Sequence, residues 1–241
     1  MIPKKIHYCW FGKKPKGELV MKCINSWKKK LPDYEIIEWN EKNFNIYALK
    51  FTAQAYRIGK YAFVADVARL YALYHYGGIY LDTDVEVIKT FDPFLDKKAF
   101  IGYEDNRNMI CLQTAVIGSC IHNPLIGEFL AYYKNIPFIK NLTEYNDTTN
   151  VVIISNILTS KGIILDNKYI NYNNLIHIYP KDYFCPKDPD DNIKLTDNTV
   201  CIHYYSGTWC LTVPKKHRWF VNIFGESTYF KLGKLKKKLK C

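Results

Sequence analysis

Residues Tyr61–Glu86 read YAFVADVARLYALYHYGGIYLDTDVE, and the fold follows from how this stretch is parsed. Phe63, Val67, Leu70, Tyr71 and Tyr74 recur at three- and four-residue steps, the period of an amphipathic helix with a core-facing stripe. Gly77-Gly78 ends that helix, because glycine accepts the left-handed backbone of a C-terminal cap. Ile79-Tyr80-Leu81 then reads as a short buried strand, and it ends on two carboxylates, Asp82 and Asp84, one residue apart. In extended chain alternate side chains share a face, so both carboxylates are expected to address one cation.

Hard oxygen ligands of this kind suit Mg²⁺ or Mn²⁺ holding a diphosphate, which points to a nucleotide-sugar site. Spacing alone is weak evidence: the chain has 14 Asp, and a second Asp-x-Asp occurs at Asp188 and Asp190. That one lies in CPKDPDDN, where Pro, Asp and Asn mark a solvated turn. The first pair differs in context, because open α/β sheets bind ligands at the carboxyl ends of strands. Asp66 and Arg69, three apart on the helix, are neighbours, and on that ground alone they make an ordinary surface ion pair.

Outward from this stretch, strand-like runs fall at Lys5–Trp10, Glu35–Trp39, Ala99–Tyr103, Ala115–Gly118, Leu175–Tyr179 and Thr199–Tyr204. Helical stretches lie between them, near Gly17–Lys30, Asn43–Ile58, Pro124–Lys134 and Val151–Thr159. Strands alternating with helices indicate an α/β sheet with helices on its faces. The polar run Phe138–Asn150 reads as a mobile loop. At 241 residues and 48% hydrophobic content the chain buries one substantial core, with no repeat or linker that demands a second domain.

The eight cysteines form no CxxC, and Cys9, Cys111 and Cys201 sit inside apolar runs, so they read as buried free thiols. MIPKKIHYCWFG lacks a signal peptide's apolar centre, and no run reaches the roughly 18 apolar residues of a membrane span. Together these features make a cytoplasmic protein the expectation. The net charge is +11, and the last 11 residues, KLGKLKKKLKC, carry six lysines and no acid. Trp219, Phe220, Ile223, Phe224, Tyr229 and Phe230 come just before this tail. Aromatics beside polylysine suit an anionic membrane surface, which would make the protein peripheral at the inner face.

Three segments carry a resemblance: IPKKIHYCWFG (Ile2–Gly12), YAFVADVARLYALYHYGGIYLDTDVEV (Tyr61–Val87) and IHYYSGTW (Ile202–Trp209). Their combination of A-D-x-x-R, Y-G-G-x-Y-x-D-x-D and a late H-x-x-x-G-x-W resembles family thirty-two glycosyltransferases. That family includes yeast-type initiating α-1,6-mannosyltransferases, bacterial capsule and lipopolysaccharide sugar transferases and, more distantly, clostridial glucosylating toxins. The likeness covers residues 1–130 and again 198–210. It implies a single GT-A-type, Rossmann-like mixed sheet flanked by helices over residues 1–225, followed by a basic tail at 226–241. It also implies a retaining, metal-dependent transfer of a hexose.

By the same resemblance Trp10 stacks on the nucleotide base, and Asp66 and Arg69 contact the donor sugar and its diphosphate. Asp84 binds the metal directly, while Asp82 meets ribose or reaches the metal through water. His203 is a metal or phosphate ligand, Ser206 and Gly207 belong to the donor-binding residues, and Trp209 donates a hydrogen bond to the departing diphosphate. The implied cofactors are Mn²⁺ or Mg²⁺ and a nucleotide sugar, a UDP-sugar being favoured over GDP-mannose. The implied acceptor is a glycan or lipid-linked glycan of surface polysaccharide synthesis.

Elementary chemistry agrees, because departure of a nucleoside diphosphate gathers negative charge that a divalent cation and pre-aimed donors stabilise. Acceptor recognition is open: Val151–Gly162 lacks the Gly-Pro that relatives often carry, and Glu104, Asp105, Asn106 and Gln113 are candidate acceptor-side groups on a loop. Two other readings stand beside this one. A toxin-like protein glycosyltransferase would share the core, but the chain is short for delivery regions. A basic nucleic-acid-binding module fits the pI of 9.1, yet the charge is concentrated at one terminus and no specific nucleic-acid motif occurs.

Overall fold

A computed structural model describes residues 1–106, 109–188 and 191–207 of the chain. The described elements belong to a compact unit, Met1–Tyr205. Of the second unit, Ser206–Cys241, only Ser206 and Gly207 are described. Trp209, the basic tail and Asp190 lie outside the described residues.

The expected mixed sheet flanked by helices is what the unit contains. Its strands are β1 (Lys5–Cys9), β2 (Glu35–Trp39), β3 (Gly78–Leu81), β4 (Val85–Val87), β5 (Ala99–Asn106), β6 (Met109–Ser119), β7 (Ile170–Tyr172), β8 (Ile176–Tyr179) and β9 (Cys201–His203). Seven of them form one sheet in the order β2-β1-β3-β6-β5-β8-β7, and β4 pairs with β9 in a separate ribbon. β2, β1 and β3 run parallel; β6 is antiparallel to both β3 and β5; and β8 is parallel to β5. The helices are α1 (Glu18–Lys30), α2 (Lys50–Arg57), α3 (Tyr61–Tyr76), α4 (Pro124–Ala131) and α5 (Asn150–Ser160).

Alternation along the strands divides the core in two, as a sheet covered on both faces requires. Ile79 and Leu81 of β3 join Ile6, Tyr8 and Trp27 of α1 on one face. Tyr80 points to the other face, with Phe63, Val67 and Leu70 of α3 and Phe51 of α2. Asp82, two residues on from Tyr80, meets the α3 side as well, where Arg69 reaches it.

Several boundaries differ from the sequence reading. The run Asn43–Ile58 is broken, with a single 3₁₀ turn at Ile46–Ala48 before α2, because Asn45 caps the turn by accepting from the Tyr47 N–H. Glu104–Gln113 is no loop: β5 and β6 run through it as a long hairpin. Phe138–Asn150 is anchored at its start, where the buried Phe138 ring packs edge-on to Phe51 and the Ile139 N–H donates to Gln54. The short strands β4 and β7 escaped the sequence reading, three residues being too few to show a period.

Candidate functional site

Asp82 and Asp84 do not converge through a strand pleat. β3 stops at Leu81, and Asp82–Asp84 form a tight turn closed by the Val85 N–H donating to the Asp82 carbonyl at 3.0 Å. The turn, rather than the pleat, brings both carboxylates together, and they lie beside His203. β9 carries this histidine to the site, with His203 paired to Val85 across the ribbon. Its Nε2 lies 3.4 Å from Asp84 Oδ1, and ligand atoms of Asp82, Asp84 and His203 all fall within 4.8 Å of one another.

Asp66 and Arg69 are not a surface pair, since the residues are 8% and 5% exposed. Helix α3 is apolar around most of its circumference, with Val64, Ala68, Ala72 and Leu73 buried beside the expected stripe, so its charged pair is carried inside. Arg69 Nη1 donates to the Thr114 carbonyl at 2.6 Å, and Nη2 lies 3.2 Å from Asp82 Oδ1 and 3.3 Å from Asp66 Oδ1. The guanidinium sits over the Tyr80 ring at 4.6 Å, and the Tyr80 hydroxyl donates to Asp82 at 2.9 Å. Asp82 is thereby fixed by two donors. Sequence reasoning missed Tyr80 and Thr114, because one reads as a core aromatic and the other acts through its backbone.

The electrostatics describe a pocket with an excess of negative charge. Burial pushes Asp66 up to about 6, against the pull of Arg69 and of the Asn150 N–H at the start of α5. Burial opposes the Arg69 charge, yet Asp82, Tyr80 and Asp66 more than offset it and hold its pKa above the ordinary value. Burial likewise opposes a charged His203, but Asp84, Asp82 and Glu104 prevail and raise it. The same potential that favours an imidazolium favours a divalent cation. Among the described residues His203 Nδ1 and Arg69 Nε are buried without a hydrogen-bond partner.

Trp10 follows β1, which runs parallel to β3 in the register Ile6 to Ile79, so Trp10 and the Asp82–Asp84 turn leave the same edge of the sheet. Its Nε1 donates to the Lys14 carbonyl at 2.7 Å. Its ring lines an open cavity of about 470 Å³ with Lys13, Lys16, Glu38 and Asn40. Lys16 Nζ stands 5.7 Å from that ring. Gly207 adopts φ +60°, a left-handed backbone that glycine tolerates.

The acceptor-side candidates Glu104, Asp105 and Gln113 stand in different environments, and the Asn106 side chain lies outside the described ones. Gln113 is buried and fully engaged with the backbone of Val116 through both its amide oxygen and nitrogen. Asp105 is paired with Lys181. Glu104 is buried, and burial pushes its carboxyl up to about 7. At the second Asp-x-Asp, Asp188 accepts from Asn192 in a turn, as the composition implies.

Comparison with known proteins gives the arrangement a context. The family described as glycosyltransferase sugar-binding region containing DXD motif matches residues 17–101, which hold Asp66, Arg69, Asp82 and Asp84. Inositol phosphoceramide mannosyltransferase 1 of Schizosaccharomyces pombe is 32% identical over 111 residues, 42% of this chain and 33% of that protein. Inositol phosphoceramide mannosyltransferase 2 of the same yeast is 30% identical over 135 residues, 52% of this chain and 36% of that protein. The chain thus spans about a third of the length of these curated relatives. Among solved structures, the PaToxG glycosyltransferase is similar with a TM-score of 0.48 and 20% identity, over 66% of this chain and 70% of that one.

Proposed function

From a chain that carries the DXD-containing sugar-binding region of glycosyltransferases, we propose a metal-dependent, retaining transferase that moves a hexose from a nucleotide sugar to a glycan or lipid-linked acceptor. The observation that carries this reading is the meeting of Asp82, Asp84 and His203 donor atoms within 4.8 Å, on a turn held by Arg69 and Tyr80. Two carboxylates and an imidazole are a donor set that fits Mn²⁺ or Mg²⁺, and the negative surroundings described above fit a dication. When bound, the cation would neutralise the diphosphate and ease its departure.

The protein's own groups supply the rest. Asp84 and His203 would hold the cation, with Asp82 beside them. Asp66 and Arg69 would contact the donor sugar and its diphosphate, and Arg69 also holds Asp82 through Nη2 while Nη1 donates to the Thr114 carbonyl. Trp10, half-exposed at the same sheet edge, offers a face to a nucleotide base. In the transfer, the sugar C1–O bond to the diphosphate breaks and a bond to the acceptor hydroxyl oxygen forms. The hydroxyl proton leaves to base or solvent.

A UDP-sugar remains our first choice of donor, and the mannosyltransferase names of the relatives make GDP-mannose the donor to test beside it. Surface polysaccharide synthesis at the inner membrane face is the setting we propose, with the lysine tail as membrane anchor. Among the described residues no helix is long and apolar enough to cross a membrane.

A thermal-shift screen of UDP, GDP and their sugar conjugates, with and without Mn²⁺, tests the reading. A ligand at 100 times its Kd stabilises the folded state by about 2.7 kcal/mol. One nucleotide class should raise Tm only with Mn²⁺, and Asp84→Ala should remove that response and the transfer. The absence of any shift in the unaltered chain would refute the donor site.

A further inference from the structure

His203 belongs to two groups of ligand atoms. The first is the Asp82–Asp84 set. The second joins it to Glu104 and Cys185, and these three also offer donor atoms within 4.8 Å of one another. Glu104 comes from β5, Cys185 follows the 3₁₀ turn Lys181–Tyr183, and His203 ends β9, so three remote segments meet here. Glu104 and Cys185 are 8% and 1% exposed. Cys185 is held by its N–H donating to the Lys181 carbonyl at 2.7 Å, and its thiol is unbridged. The Tyr205 hydroxyl lies beside both Glu104 and Cys185.

The buried Glu104 carboxyl is met by the Tyr205 hydroxyl and the Cys111 thiol, and the Cys185 thiol by Tyr205, whereas His203 Nδ1 is buried without a partner, which is costly away from water. One ion would engage Glu104, Cys185 and His203 together. Magnesium and manganese prefer oxygen, whereas thiolate, imidazole and carboxylate together suit Zn²⁺, with water in the fourth position. We infer that Glu104, Cys185 and His203 form a second cation site for a Zn²⁺-class ion, and that filling it withdraws His203 from the Asp82–Asp84 set. Binding converts the Cys185 thiol to a thiolate, and its proton passes to solvent. Zinc then opposes the Mn²⁺-dependent binding of nucleotide. This last consequence rests on the proposed donor site; the cation site itself does not.

Co²⁺ is the probe for the site, because a cobalt–thiolate bond gives a charge-transfer absorption that oxygen and nitrogen ligands do not. The full chain should show this band, Zn²⁺ should displace it, Cys185→Ser should abolish it and Cys120→Ser, at the far end of the β5–β6 hairpin, should leave it. Loss of outer-shell partners alone costs 10–100-fold in metal affinity, so Glu104→Gln should weaken Zn²⁺ binding by more than about 100-fold. A missing band in the unaltered chain, or one that survives Cys185→Ser, overturns the site. Circular dichroism checks that each variant is folded, and Glu104→Gln supplies the answer should Cys185→Ser not fold.

Stoichiometric Zn²⁺ should suppress the Mn²⁺-dependent nucleotide thermal shift in the unaltered chain but not in Cys185→Ser. Equal suppression in both overturns the competition. No Mn²⁺-dependent shift at all removes the donor-site reading, while the cobalt band still decides whether the second cation site exists.

Discussion

At the scale of single residues, His7 shows how a buried polar group couples the fold to pH. Gly77 presents only a carbonyl acceptor and Trp39 only an N–H donor, so His7 Nε2 donates to Gly77 at 2.7 Å and Nδ1 accepts from Trp39 at 3.1 Å. A proton on Nδ1 would oppose the Trp39 donor, and burial drives the pKa from 6.5 to about 4. The unfolded chain therefore takes a proton near pH 6.5 that the folded chain refuses until about pH 4, so stability falls as pH drops through this window. The loss is about 3 kcal/mol for a shift of this size. His7→Gln should be less stable at neutral pH but should lose less on acidification, as read from denaturant unfolding at pH 7 and pH 4.5. Equal losses in both proteins would show that His7 is not the titrating group.

Arg69 makes a second case. A lysine there offers one nitrogen where the guanidinium serves Thr114, Asp82 and Asp66 together. Arg69→Lys should cost about 2–3 kcal/mol of stability, the scale of a damaged buried charge network, and should weaken Mn²⁺-dependent nucleotide binding. Asp66 and Arg69 were legible as a helical pair. Their burial was not, because it depends on what packs against α3.

At the scale of elements, α1 positions the turn that bears Asp84. Trp27 Nε1 donates to the Val85 carbonyl at 2.7 Å, and the Val87 N–H donates to Ser26 Oγ at 2.9 Å, so the end of α1 fastens β4. Trp27→Phe keeps most of the apolar burial but leaves the Val85 acceptor unsatisfied, at a cost of about 1–3 kcal/mol. We expect a lower midpoint of unfolding and weaker Mn²⁺ binding, since β4 also carries the pairing with His203.

The Gly77-Gly78 corner is as restrictive. Gly78 has φ +106°, and an added Cβ would lie 2.7 Å from the Lys5 carbonyl oxygen on β1. Both strain and clash predict that Gly78→Ala is destabilised beyond the few tenths expected of an exposed substitution, by several kcal/mol. A melting temperature unchanged from the parent protein would contradict the close approach of β3 to β1.

At the scale of the whole molecule, charge and ligand binding become measurable together. Six lysines fall within Lys231–Cys241. Each contributes about 1 kcal/mol near an anionic bilayer, less at high salt. Deleting Lys231–Cys241 should reduce sedimentation with anionic vesicles and leave transfer to a soluble acceptor intact. Unchanged sedimentation would remove the tail as the anchor.

What the sequence determined by itself is what local pattern encodes. The helix period of Tyr61–Tyr76, the glycine stop, the short apolar strand and the Asp82–Asp84 pair lie within one short window, and each is dictated by neighbours in the chain. Much of the strand and helix alternation was legible on the same ground. His203 was reached only through its motif resemblance, because no local period points from residue 203 to residue 84. What the tertiary structure decided is which distant groups share a pocket. β9 pairs with β4, β5 crosses beside them, and the segment after Lys181–Tyr183 brings Cys185 to Glu104. Those meetings depend on strand order and on burial of both faces of the sheet, long-range properties that charge and spacing along the chain do not contain.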